Sequence, residues 1–162
     1  MVIYVKEKVK SYVVSILIAL TAGGLSAILT MGNMDIYNTL KTPPLSPPSI
    51  LFPIVWTVLY IVMGVSAAMI YNTAKASHID KSSALFTYAI SLIFNFLWSI
   101  IFFNMRSFLL AFIWLLILLF LIVRTIIKYY NINPTAAYLQ IPYLLWVCFA
   151  GYLNFAIWYL NR

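Results

Sequence analysis

Charge is scarce in this chain of 162 residues, at 8%, and acidic charge is scarcer still: Glu7, Asp35 and Asp80 are its three carboxylates. None lies within a long apolar run, which excludes a paired-carboxylate acid/base site and an acidic proton relay inside a membrane. Cysteine is equally short. Cys148 stands alone, so neither an internal disulfide nor a cysteine metal cluster can form, and it reads as a small core residue. The single histidine, His78, sits in a polar connection without neighbours suited to metal binding, so it reads as solvent-facing and no metal site is expected. A glycine-rich phosphate loop and a serine-centred triad signature are both missing.

What is abundant is apolar: 65% of residues are hydrophobic and 17% aromatic, and the mean hydropathy is +1.01. Five segments, 12–31, 50–71, 84–103, 108–127 and 136–160, have the length and near absence of charge needed to cross a hydrocarbon core of roughly 30 Å. They are too long and too uninterrupted for barrel strands. The first run also exceeds the roughly 7–15 apolar residues of a signal peptide. The expected fold is all-α: an integral membrane protein forming a bundle of five transmembrane helices, one domain over residues 1–162.

In a soluble protein the net charge of +7 would suggest nucleic acid, but here the ten cations sit at helix ends and in short connections, so lipid headgroups are the expected partner. With five spans the termini face opposite sides. One side carries Lys6, Lys8, Lys10, Lys75, Lys81, Arg124 and Lys128, the other Lys41, Arg106 and Arg162. Seven against three places the N-terminus in the cytoplasm and the first connection outside, by the positive-inside rule. Arg124, near a span end, is positioned to snorkel.

That first connection, residues 32–49, is the one long loop. Pro43-Pro44 and Pro47-Pro48 cannot be helix interior, so the segment reads as a stiff ordered lid anchored by Asp35, Tyr37, Leu40 and Leu45. Ser49 is a candidate cap for the following helix, with Pro53 tolerated in its first turn. Asp80 or Ser82 reads as the cap of the third helix, and Asn133-Pro134 as the cap and first turn of the fifth. No internal repeat emerges, which weighs against an inverted-repeat transporter.

The chemistry left inside the membrane is aromatic and amide. Trp56 and Tyr60 are four apart on helix two; Asn95, Trp98 and Ser99 are three and four apart on helix three; Trp146, Ala150 and Asn154 run four apart on helix five. In one reading they line one apolar cavity with a few polar groups, suited to a flat, largely apolar ligand. Spacing alone leaves a second reading open, in which Trp and Tyr are interfacial belt residues and Asn bonds between helices. Trp114, Trp158 and Tyr159 are assigned to belt or lipid-facing positions. Gly64, Ala67 and Ala68 on helix two, with Ala150 and Gly151 on helix five, read as close-packing positions.

Three motifs, YNTLKTPPLSPPSILFPIVWTVLY at 37–60, NFLWSIIFFNMRS at 95–107 and IPYLLWVCFAGYLN at 141–154, are ordered and spaced as in the TspO/MBR family, the tryptophan-rich sensory proteins and translocator proteins. The resemblance covers nearly the whole chain. It implies a five-helix bundle, often a homodimer, in a bacterial cell membrane for a member of this type. The implied activity is that of a receptor or sensor whose cavity beneath the first loop accepts porphyrins such as protoporphyrin IX or haem, sterols, and benzodiazepine-type drugs. The tetrapyrrole is ligand there, and no separate cofactor is required.

Position by position, the resemblance makes Tyr37 the loop tyrosine over the cavity, Trp56 and Trp146 the paired tryptophans, and Asn95 the amide that bonds ligand. Tyr60, Trp98, Ala150 and Asn154 complete the walls. It also carries an alternative: light-dependent porphyrin degradation, for which Trp56 and Trp146 would be the catalytic positions. A second alternative is tetrapyrrole or sterol transport. The chain departs from the family in its lid, where Leu45-Ser46-Pro47-Pro48 stands in place of a Trp-x-Pro-Pro run, so the lid makes its contacts without that tryptophan. Leu153, Tyr159 and Arg162 also fit the loose cholesterol-recognition pattern.

Overall fold

The computed structural model describes residues 2–162, with side chains from Lys6 onward. Seven α-helices follow one another: α1 (Val2–Thr30), α2 (Ile36–Thr39), α3 (Leu51–Asn72), α4 (His78–Ser99), α5 (Phe108–Ile132), α6 (Pro134–Tyr138) and α7 (Ile141–Leu160). Among the described residues there is no strand, and five helical segments are long and apolar enough to span a membrane. The molecule is thus an all-α, five-span bundle. Large apolar side chains such as Leu17, Ile28, Val58, Phe86 and Phe120 point outward, where hydrocarbon covers them.

Where helices begin and end is decided by capping chemistry more than by hydropathy. α1 starts well before the apolar run at 12, because Lys and Glu are good helix formers and extend the helix beyond the apolar stretch. The cap of α4 is Ser77, where Asp80 or Ser82 was the expectation. Its hydroxyl accepts from the Asp80 amide at 3.0 Å and donates to the Asp80 carboxylate at 2.6 Å, and the histidine expected in the connection becomes the helix's first residue, exposed. Ser49 does not cap α3 through its side chain; the Pro48 and Ser49 carbonyls instead accept from Leu51 and Phe52. Asn133 does cap as expected, its side-chain oxygen taking the Thr135 and Ala136 amides ahead of Pro134.

The fifth span is two pieces rather than one helix over 136–160. Pro142 has no N–H to give the preceding turn, so the helix breaks at Leu139-Gln140 and restarts as α7. The buried Gln140 holds the break: its amide donates to Ser66 Oγ at 3.0 Å, and Ser66 donates to the Ala136 carbonyl at 2.7 Å.

α1 packs mainly along α3, and α5 lies between α4 and α7. The α1–α3 approach depends on Gly64, where a Cβ would come within 2.5 Å of the Ile16 Cα. Gly64, Ala67 and Ala68 are therefore close-packing positions, as read from sequence. Gly151 is not: a Cβ there would meet nothing within 4 Å. Cys148 is also exposed rather than core, because the α7 face it occupies turns away from α5.

Candidate ligand cavity

The lid grows out of α1. A short 3-10 turn (Met31–Asn33) and the one-turn α2 lead into an extended stretch that runs to Ser49. Tyr37 and Leu40 pack against the core and Pro43 is buried, but Leu45 is 82% exposed with φ of 70°, so it sits at the tip of a turn and anchors nothing. Tyr37 and Leu40 thus anchor the lid as expected, and further, polar anchors come from elsewhere. Asn161, just beyond α7, accepts from the Lys41 amide at 3.0 Å and donates to the Lys41 carbonyl at 2.9 Å. Tyr152 on α7 donates to the Pro44 carbonyl at 3.1 Å. At the other end of the lid Asn33 donates to Asn104 at 3.0 Å, and Asn104 donates to the Leu29 carbonyl at 3.0 Å.

Under this lid lies a cavity of about 400 Å³. α1 contributes Gly23, Ser26, Ala27 and Thr30; α3 contributes Phe52, Pro53, Trp56 and Tyr60; α7 contributes Ala150, Leu153, Asn154 and Ile157. The remaining wall is the end of α4, Trp98 and Ser99, with Phe102 and Phe103 from a π-helical turn over Ile100–Asn104. Such wide turns recur at functional sites because they redirect side chains that a regular helix would send elsewhere. Asp35, Tyr37, Asn38 and Ser49 close the lid side.

The wall is a continuous aromatic surface. Trp56 stacks on Tyr60, with centroids 5.6 Å apart and planes 28° off parallel, and lies 6.5 Å from Trp98 and 6.2 Å from Tyr143. Trp98 continues to Phe102 at 5.6 Å. Gly23 makes this possible, since a Cβ there would overlap the Tyr60 ring. The polar groups of the wall are largely paired with one another: Asn95 donates to the Tyr60 hydroxyl at 3.0 Å, Trp98 Nε1 to Asn154 at 3.0 Å, and Asn154 to the Phe108 carbonyl at 2.8 Å. These bonds hold the rings in place, while the lid rim offers Asp35, Asn38 and Ser49.

Of the eight site residues read from sequence, the structure brings Tyr37, Trp56, Tyr60, Trp98, Ala150 and Asn154 to the cavity. Two stand behind it. Asn95 is buried on the far side of Tyr60, and Trp146 lies across Phe52, at 6.1 Å, with its Nε1 buried and without a partner. Phe52 also meets Tyr37 at 5.2 Å, so one phenyl ring separates Trp146 from the space that Trp56 faces. Trp114 is not simply lipid-facing, because its Nε1 donates to the Phe94 carbonyl at 2.8 Å and its ring stacks on Phe94 at 4.5 Å. Trp158 and the exposed Tyr159 lie at the end of α7, with the Arg162 guanidinium 5.8 Å and 4.3 Å from their rings. Sequence reasoning missed Phe52, Phe102, Asn104 and Asn161. Amides just outside the end of an apolar run, on the lid side, were the available signal for the last two.

The sequence model of the TspO/MBR family matches residues 15–160. The chain belongs to the TspO/MBR family. It is 41% identical over 126 residues to a tryptophan-rich protein TspO of Chlorobaculum tepidum, covering 77% of this chain and 78% of that one. It is 33% identical over 140 residues to the protein CrtK of Rhodobacter capsulatus, covering 86% of each. Similarity extends to the translocator protein of Bos taurus, at 32% over 126 residues, 78% of this chain and 75% of that one. Membership in the TspO/MBR family and the five apolar helices make this an integral membrane protein.

Proposed function

We propose that this member of the TspO/MBR family is a membrane receptor, or sensor, for a flat and largely apolar ligand of the tetrapyrrole class, protoporphyrin IX or haem, with sterols as the alternative class. The observation that carries the reading is the stacked Trp56–Tyr60 pair, continued by Trp98 and Phe102, lining a lidded cavity of about 400 Å³. That volume falls within the roughly 300–1,000 Å³ of small-molecule sites, and planar rings gain from offset stacking beyond simple apolar burial. Trp56 supplies the stacking face, Phe102 and Ile157 the apolar walls, and the lid rim the hydrogen bonds to a ligand's polar edge. Asn95 positions Tyr60, and Trp146 joins the site only if Phe52 turns aside.

In this reading the protein resides in a bacterial cell membrane with its N-terminus cytoplasmic and its lid outside, works as a monomer or homodimer, and needs no cofactor besides the ligand. Titrating purified protein with protoporphyrin IX in the dark, followed by tryptophan fluorescence and the porphyrin absorbance bands, tests it. Saturable quenching that Trp56→Phe weakens supports the receptor. A titration without saturation sinks it, and bleaching to a new species only under light replaces it with the enzyme reading. Ligand flux into liposomes would favour a transporter.

A further inference from the structure

A second cavity, of about 480 Å³, lies near the N-terminal end of the bundle, between α1, α3 and α4 and away from the lid. α1 and α4 are tied together on the lid side, where Ser26 Oγ reaches the Phe96 carbonyl at 3.5 Å and Asn104, just past α4, donates to the Leu29 carbonyl at 3.0 Å. Toward the other end they part, and the opening is a groove whose floor is Ala67. Its walls are Val14 and Ile18 from α1, one turn apart, and Ala89 and Leu92 from α4, with Ser11, Ser15, Tyr71 and Tyr88 as their polar members. The walls are mostly apolar and lie within membrane-spanning segments.

The mouth is different. Lys10 and Glu7, exposed and one helical turn apart on the α1 face that lines the groove, put a cation and an anion side by side at the level where headgroups begin. From Lys10 to Ile18 the helix rises about 12 Å, so the charged mouth and the apolar floor form one continuous track. A purely anionic head would gain from Lys10 and be opposed by Glu7. A head with a phosphate and a primary ammonium satisfies both, and its ammonium N–H groups can donate to the Glu7 carboxylate, which a quaternary ammonium cannot do.

We propose that this groove is a binding site for a zwitterionic aminophospholipid, phosphatidylethanolamine, from the leaflet on the N-terminal side. The phosphate sits on Lys10, the ammonium on Glu7, and one acyl chain lies over Ala67 between Val14 and Leu92. The site is separate from the lid cavity and does not rest on the ligand proposed there.

Native mass spectrometry of the purified full chain, exchanged into detergent with equal amounts of dioleoyl phosphatidylethanolamine, phosphatidylcholine and phosphatidylglycerol, tests the assignment. Retention of phosphatidylethanolamine should exceed that of each other lipid by about fivefold, the scale of one added charge contact at a membrane surface. Glu7→Gln should bring phosphatidylethanolamine down to the phosphatidylcholine level without lowering phosphatidylglycerol. Ala89→Trp, an exposed position whose indole fills the groove, should abolish retention of all three while the circular dichroism spectrum is unchanged. Equal retention of the three lipids overturns the proposal, as does retention that Ala89→Trp leaves intact, or a dimer that Ala89→Trp dissociates, which would assign the groove to a second copy.

Discussion

Toward the lid, Trp56, Tyr60 and Trp98 stand around an open space of about 400 Å³; deeper in the bundle, Tyr129 and Tyr143 are equally aromatic and fill the interior, each almost fully buried. The difference lies in the backbone. In the packed region Gly64 lets α1 come against α3, and Gln140 with Ser66 ties the α6–α7 break to α3, so Tyr129 and Tyr143 have no space to line. In the cavity region Gly23 lets the Tyr60 ring, rather than a second backbone, come against α1, and the π-helical turn carries Phe102 and Phe103 into the wall. Tyr129 and Tyr143 pack where the helices are held together, and Trp56 and Trp98 face open space where they are not.

That comparison is sharpest at Gly64. Gly64→Val places a side chain against the Ile16 backbone, and it should cost about 3 kcal/mol, the upper end for overpacking, seen as a lowered midpoint in thermal unfolding together with loss of both halves. Trp56→Ala strikes the other region: ligand affinity should fall by roughly 30-fold, equivalent to about 2 kcal/mol, in a fluorescence titration, with a smaller loss of thermal stability because the ring already borders empty space. Asn161→Ala removes two hydrogen bonds from the lid, together worth about 2 kcal/mol, and should speed ligand dissociation by roughly 30-fold in stopped-flow measurements while the unfolding midpoint, set by the bundle, stays put. Gln140→Met should do the reverse, lowering stability by about 1 kcal/mol and leaving ligand affinity unchanged. The smallest effect belongs to Gly151→Ala, which meets open space and should stabilise α7 by about 0.5 kcal/mol through helix propensity alone. If Gly151→Ala destabilised as much as Gly64→Val, the distinction between the two regions would be lost.

The five spans were legible because each is a long apolar run, and hydropathy needs no partner to be read. The lid was legible because prolines restrict their own backbone. Trp56, Tyr60, Trp98 and Asn154 were legible as one constellation because helical periodicity and a family resemblance agree on them. Asn95 and Trp146 show where that ends: spacing gives a residue's face, while its depth relative to Tyr60 or Phe52 depends on how neighbouring helices are rotated. The break at Gln140 was hidden because Pro142 near the start of an apolar run is compatible with one continuous helix. Leu45 failed as an anchor because hydrophobicity in a loop does not say which way a turn points.

The Asn161–Lys41 pairing joins positions 120 residues apart in sequence, and one of its two partners sits where α7 gives out. Helix ends fray on their own, with free energies far below that of the whole fold. Each time the last turn of α7 unwinds, the amide that grips the lid goes with it, so the doorway follows the melting of a single helical turn rather than that of the bundle. Ligand exchange should therefore rise with temperature well below the unfolding midpoint, in step with hydrogen exchange at the Lys41 amide.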